Sequence, residues 1–377
     1  MSASHFPQVI PGVAYADPTA FAKELAEVFR GTWQFVGTTT ELERPNDFVA
    51  LELGGRPVVV QNMQGELKAF ENVCSHRRGR IQLEDHGNRP LVCPYHSFSY
   101  DPGGVPEIPA RLRLNLTREE RELLRLREFP LAVCGKFVFV HLGEQAPPPL
   151  VSYLGSMAEH LLVFSRGMGE LIDRRGATIA ANWKIVVENF LEFAHIPTVH
   201  SATFGRIGLD GSAGVDIKLV GKHSHALMRA STQRLASDDE QKDREYLSAF
   251  AKRPFQPMGS HVSLVFPNLV LVSVFGLSYL LTSVRPEGPE RTALSYLLFE
   301  ANPDDGATID TKLREHRRTV LKGFAYKTII DEDKAIVEAL QRGTALSDRP
   351  GILGLAEECV HHFQKNLLAQ LGTEAPG

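Results

Sequence analysis

The sequence predicts an α+β protein of two domains, an antiparallel β domain followed by a larger domain in which helices wrap a sheet. Three observations carry this expectation. Short β-rich runs separated by glycine turns fill the stretch from Asp47 to Leu142. A stiff proline linker, Gln145-Ala-Pro-Pro-Pro-Leu150, then breaks the chain. From 215 to 300 strands again alternate with turns, and two helical stretches close the sequence. The length of 377 residues fits two domains, and the 43% hydrophobic content suffices for real cores. The expected division is 1–37 as an N-terminal helix packing on the second domain, 38–148 as the β domain, and 149–377 as the α+β domain.

Phe21, Leu25, Val28 and Phe29 recur at helical spacing before Trp33, which predicts a helix over 18–36. Phe48 to Leu51, Val58 to Val60 and Phe137 to Val140 read as strands bounded by Gly54-Gly55, Gly65 and Gly135. Asp101 to Pro109 is too rich in proline and glycine for a regular element, and 118–126 reads as a short charged helix. Beyond the linker the pattern gives a helix around 154–164, a strand near 171–180 and a helix opening at Asn182-Trp183-Lys184. Strands at Ser263 to Phe266, Leu269 to Phe275 and Thr292 to Phe299 follow, then helices over 307–341 and 353–371.

The formal charge of −4 implies neither a nucleic-acid partner nor a membrane surface. Met1 to Tyr15 lacks the basic start and apolar run of a signal peptide, and no apolar stretch is long enough to span a bilayer. A cytoplasmic location follows as an expectation. Cys134 and Cys359 lie in apolar surroundings and read as buried free thiols. Neither a GxGxxG turn between strand and helix nor a plant-type ferredoxin cysteine run is present, so electrons from NAD(P)H would have to come through another protein.

Two short pairs, Cys74-Ser75-His76 and Cys93-Pro94-Tyr95-His96, each offer one thiolate and one imidazole on loops between strands. Two cysteines on one iron and two histidines on the other is the ligation of a Rieske [2Fe–2S] centre. A structural zinc site is the competing reading, but zinc fingers normally place like ligands together, whereas each loop here mixes them.

A second constellation follows the linker. On a helix over 184–195, Glu188, Glu192 and His195 would share one face. Pro197 would end that helix and let His200 fold back toward His195. Two histidines and one carboxylate make a facial triad for non-haem Fe(II), with three positions left for O2, substrate or water. Asp333 is the preferred carboxylate because Ile336, Val337 and Leu340 would put it on an apolar, core-facing stripe. Asp331, beside Lys334 and Glu338, is the alternative on a solvated face. His223, His225, His261, Asn268 and Phe275, on or beside predicted strands, are candidates for the pocket, with ordinary packing as the competing reading.

These motifs resemble the large (alpha) subunit of the Rieske non-haem iron oxygenases over nearly the whole chain. The second run is similar at Asn182, Trp183, Lys184, Glu188, Asn189, Glu192, His195 and His200. Phe266-Pro-Asn268, Arg285-Pro286 and the stretch 332–343 are similar too. The resemblance implies a helix-grip (START/Bet v1-like) catalytic domain and a homotrimer. It also implies a separate NAD(P)H-dependent reductase or ferredoxin, with Glu192 relaying electrons between subunits to the Fe(II). Glutamate at 192 is similar to the branch that oxidises quaternary ammonium compounds, often by demethylation. The sequence departs from the family at the extra arginine in Arg77-Arg78-Gly79, at His96-Ser97-Phe98 where Gly-Trp is usual, and at Phe193-Ala194. The implied activity is O2-dependent hydroxylation or N/O-demethylation of a small organic substrate. An aromatic-ring hydroxylase or biosynthetic oxidase on a larger apolar substrate is the alternative within enzymes. A Rieske electron carrier or redox sensor with a degenerate second domain is the alternative outside them.

Overall fold

The computed structural model describes residues 5–231, 245–254, 259–347, 349 and 351–373. They form two compact units, one of residues 25–153 and one of 1–24 with 154–377.

The smaller unit is built from antiparallel sheets. Asp47–Leu53 and Arg56–Met63 make a hairpin closed by Gly54 and Gly55 at φ 56° and 74°, a turn that needs two left-handed residues. Glu66–Glu71, His86–Asn88 and Glu128–Phe129 complete a five-stranded sheet. Leu131–Cys134, Phe137–His141 and Trp33–Thr38 form a three-stranded one. Both faces of the strand Arg56–Met63 are covered: Val58 and Val60 pack into one apolar cluster and Val59 into another, as the period of two requires. The second cluster also contains Cys74 and Cys93.

The helix expected over 18–36 is shorter. It runs Pro18–Glu24, widens into a π-type turn at Leu25–Phe29, and gives way to the strand Trp33–Thr38. Gly31 interrupts it, and the aromatic and β-branched run after it pairs with Phe137–His141, so sheet pairing overrides helical periodicity. The boundary expected at 37 therefore moves to 24. The stretch 101–109 also holds a short strand, Pro106–Glu107, paired with Ser99–Tyr100.

In the larger unit seven antiparallel strands form one sheet. Their order across it is Met168–Ile179, Arg291–Ala301, Ser278–Gly288, Leu269–Val274, Gly259–Val265, His223–Arg229 and Val215–Val220. The helix Trp183–Leu191 packs on three of these strands. A second helical stretch runs Thr311–Tyr326, widens at Lys327–Asp333 and continues as Lys334–Thr344. Glu358–Gln370 packs on the sheet edge formed by 215–229.

Buried polar groups fix the site helix. The Asn182 side chain accepts from Lys184 N–H at 3.0 Å and caps it. Lys184 Nζ reaches Glu24 at 2.6 Å, both almost wholly buried, and Trp183 Nε1 donates to the same carboxylate at 2.7 Å. Burial pushes the Lys184 ammonium below its usual range, against the opposing charge of Glu24. Glu188 Oε1 accepts from Tyr15 Oη at 2.7 Å and from Gln364 Nε2 at 3.0 Å. Burial still pushes the Glu188 carboxyl up from 4.5 to about 7.

Because that folded value exceeds the unfolded one, Glu188 favours folding most below pH 4.5, and stability falls as pH climbs toward about 7. Glu188→Gln should flatten this fall, which amounts to roughly 3 kcal/mol. Urea denaturation across that range checks it, and an unchanged pH slope would remove the argument.

Candidate functional site

The helix Trp183–Leu191 stops four residues short of His195, with Glu192 extended at φ −118°, ψ 157°. The shared face expected for Glu188, Glu192 and His195 therefore does not exist, and Glu188 points into the Tyr15–Gln364 network instead. Glu192 organises the turn that follows. Its Oε2 accepts from the N–H of Ala194 at 2.6 Å and of His195 at 3.2 Å, and its Oε1 pairs closely with His195 Nδ1. A single helical turn, Ile196–Val199, follows with His195 before it and His200 after it. Pro197 lies in the first turn, where proline is tolerated, and so starts this turn rather than ending a longer helix.

The widened segment Lys327–Asp333 brings two adjacent acids to His200. Glu332 Oε2 lies 2.7 Å from His200 Nδ1 and accepts from Thr203 Oγ1 at 2.7 Å. Asp333 Oδ1 lies 3.0 Å from His200 Nε2 and 3.7 Å from His195 Nε2. The two imidazole rings are 5.0 Å apart and inclined at 65°. Each ring thus has its Nδ1 engaged by a carboxylate, Glu192 or Glu332, and turns Nε2 toward the third. Asp333 Oδ1 is buried and accepts no hydrogen bond despite the short approach to His200. One atom from each of His195, His200 and Asp333 falls within 4.8 Å of the others. Converging nitrogen lone pairs and an uncompensated buried carboxylate oxygen fit a divalent cation, and the outer carboxylates would fix both tautomers. Asp331 is exposed. The apolar stripe expected beside Asp333 is only partly there: Val337 is buried, while Ile336 and Leu340 are 41% and 49% exposed. Glu332 is the functional candidate that the sequence analysis missed, its only trace being an acid adjacent to Asp333.

In the smaller unit the two Cys/His loops have the same backbone design. Cys74 N–H donates to Gly79 O and Arg78 N–H returns to Cys74 O, both at 2.8 Å. Cys93 N–H donates to Phe98 O at 2.8 Å and Ser97 N–H returns to Cys93 O at 2.9 Å. Arg78 and Ser97 both sit at φ 61°. Both thiols are buried and free, while His76 and His96 are half-buried with ring centres 4.7 Å apart. Phe98, in place of the family's Trp, lies flat on His76 at 4.7 Å. Tyr100 Oη donates to Cys74 Sγ at 3.1 Å and accepts from Ser75 N–H at 3.0 Å. Buried thiols behind half-exposed imidazoles are a donor set suited to a cluster with an inner and an outer iron. Arg77 and Arg78 are exposed beside this edge, and Arg80 pairs with Glu52.

The cavity at the three converging groups is lined by Phe190, Phe193, Ile196, Phe204, Met228 and Val262 among others. Phe275 lines a neighbouring cavity, but His223, His225, His261 and Asn268 line neither. Strand alternation explains this: Ser260 and Val262 face the cavity, so His261 and Ser263 face the other side. There His160 Nε2 and His225 Nδ1 each lie 2.9 Å from Ser263 Oγ. Burial pushes His225 and His261 down to about 4, so both are neutral packing groups. His223 Nδ1 accepts from Phe266 N–H at 3.1 Å. Cys359 is buried as expected, whereas Cys134 is half-buried.

A β domain with paired thiol–imidazole loops, joined in one chain to a helix-wrapped sheet bearing two imidazoles and a carboxylate, defines a two-centre iron protein. Residues 165–373 match the ring hydroxylating alpha subunit (catalytic domain) family and residues 32–118 match the Rieske [2Fe-2S] domain. The chain belongs to that family, whose cofactors are a [2Fe–2S] cluster and Fe(II). It is 33% identical to the glycine betaine monooxygenase oxygenase subunit of Chromohalobacter salexigens over 51% of this chain and 43% of that protein, under half the relative's length. It is 28% identical to the chloroplastic choline monooxygenase of Arabidopsis thaliana over 94% of this chain and 80% of that one. Among solved structures, the quaternary ammonium Rieske monooxygenase CntA superposes with a TM-score of 0.78 at 20% identity, covering 97% of this chain and 96% of that one. Naphthalene 1,2-dioxygenase from Rhodococcus sp. gives 0.78 at 19%, covering 97% and 95%. At such identities the structural likeness describes the fold. No helix among the described residues is long and apolar enough to cross a membrane.

Two expectations follow. Asp333→Ala should lose the mononuclear iron while the cluster's visible absorption persists, and Glu332→Ala should weaken that iron roughly 10- to 100-fold. Unchanged iron content by elemental analysis would move the ligand to Asp331. Tyr100→Phe removes the hydrogen bond to Cys74 Sγ and, with Cys74 as a cluster ligand, should lower the cluster potential by on the order of 50 mV in a redox titration.

Proposed function

We propose that this chain is the terminal oxygenase component of a Rieske non-haem iron system, using O2 to hydroxylate or oxidatively N/O-demethylate an organic substrate. The observation that carries this is the convergence of His195 Nε2, His200 Nε2 and Asp333 Oδ1 beside an apolar cavity. An electron carrier would need neither the converging donors nor the cavity. In this reading Cys74, Cys93, His76 and His96 hold the cluster, and His195, His200 and Asp333 hold Fe(II). When bound, the two centres supply single-electron delivery and O2 activation. The protein's own part is positional. Glu192 and Glu332 would fix the two imidazole tautomers by accepting hydrogen bonds from Nδ1–H, leaving each Nε2 lone pair for the metal. The apolar walls keep bulk water from the reacting carbon.

Glu192, whose side chain is 17% exposed, also serves as the relay to which a neighbouring subunit's cluster edge would dock, in a homotrimer of the kind the family resemblance implies. Electrons come from a separate NAD(P)H-dependent reductase or ferredoxin, for which exposed Arg77 and Arg78 offer a basic approach. The relatives named above act on glycine betaine and choline, which supports demethylation or methyl hydroxylation. The second reading, a larger apolar substrate, is favoured by the phenylalanine and aliphatic lining.

Reconstituted protein with a surrogate reductase should contain about three irons per chain and give an oxygen-dependent product. Formaldehyde release marks demethylation, and label from 18O2 retained on the substrate skeleton marks hydroxylation. About two irons and no product with any substrate class would return the carrier reading. Glu192→Gln should keep cluster reduction and iron content but slow product formation roughly 10- to 100-fold; an unaltered rate would end its role as relay.

A further inference from the structure

Beside the cavity at the three converging groups lies a second, of about 820 Å³ with its mouth included. Phe204, Val272, Leu280 and Thr328 line both, so a single layer of side chains divides them. In that layer the Phe204 ring packs edge-to-face with His200 at 5.4 Å and with Phe324, which lines the second cavity alone, at 5.1 Å. A guest on the far side of Phe204 is therefore one side chain away from a histidine of the converging set.

Among the described residues, twelve of the sixteen that line the second cavity are aliphatic or phenylalanine. Three of the other four are engaged within the protein. Thr328 Oγ1 donates to Phe324 O at 3.0 Å and to Ala325 O at 3.1 Å. Tyr246 Oη donates to Glu300 at 3.3 Å, and the Arg317 guanidinium lies 5.6 Å from the Tyr246 ring centre. A chamber with so few free polar groups holds water poorly and takes apolar guests such as xenon.

Dioxygen is neutral, apolar and diatomic, so it concentrates in such a chamber relative to water. It can pass a wall one side chain thick as rotamers fluctuate. A larger organic molecule would need the packed wall to be rebuilt.

We propose that the second cavity is a binding site for dioxygen, a reservoir from which the gas reaches the space among His195, His200 and Asp333 past Phe204. The organic substrate then occupies only the first cavity. The proposal rests on the oxygenase reading for its natural guest, but the affinity of the chamber for small apolar gases does not.

The test uses iron-loaded holoenzyme and two probes: xenon in pressurised crystals, and substoichiometric nitric oxide in anaerobic stopped flow. Xenon should appear in the second cavity of the unmodified protein. Leu321→Phe and Ala325→Phe each fill that cavity from the helix Thr311–Tyr326. Both should exclude xenon and slow nitric oxide association with the iron roughly tenfold. Iron content and the final yield of the iron–nitrosyl signal should not change, which separates blocked access from a damaged site. Ordered water in place of xenon in the unmodified crystals overturns the proposal, whether or not the variants fold. So does a xenon-free variant that binds nitric oxide at the unmodified rate. Neither probe requires turnover. Xenon binding and slowed nitric oxide entry without any oxygen-dependent product would support the gas site and count against the oxygenase reading, so the two fail separately.

Discussion

The larger unit depends on a carboxylate oxygen held out of water without a hydrogen bond, 3.0 Å from one imidazole nitrogen and 3.7 Å from another. Such a group is costly in a protein interior unless a cation compensates it. Glu192 and Glu332, each beside an Nδ1 atom, orient the two rings so that both Nε2 atoms face this oxygen. By engaging both Nδ1 atoms they leave Nε2 as the lone-pair donor on each histidine. The interrupted helix after Leu191 and the widened turn before Lys334 are the two backbone irregularities that make this convergence possible.

The smaller unit divides its donors by depth. Cys74 and Cys93 belong to an apolar cluster, whereas His76 and His96 reach the surface. The two thiols sit where dielectric is low, and the imidazoles, which can exchange protons, sit where solvent can reach them. Tyr100 supplies the one side-chain hydroxyl described against a cysteine sulfur there.

Much of this was legible in the residues. The Cys/His spacing, the proline linker and the strand runs came from local pattern, and the preference for Asp333 over Asp331, which the iron analysis tests, from polarity. What escaped was tertiary. Trp33–Thr38 reads as helix until its partner Phe137–His141 is known. Glu188 looks like a neighbour of the site by spacing, yet the helix ends before that spacing matters. Ile336 and Leu340 suggested a buried stripe although both are largely exposed, so the choice of Asp333 rested partly on a wrong premise. His225 and His261 were placed beside the cavity because their strands were, but strand parity sends them to the opposite face.

That parity has a consequence of its own. In the strands around 224–228 and 260–264, neighbouring positions belong to two unconnected chemistries, an oily chamber on one side and an imidazole–serine lattice under the helix Met157–Gly167 on the other. Drift or engineering at Met228, Ser260 or Val262 can reshape the cavity while the lattice bracing the same backbone is left alone. Cavity shape and scaffold rigidity are thereby inherited on alternate letters of one text.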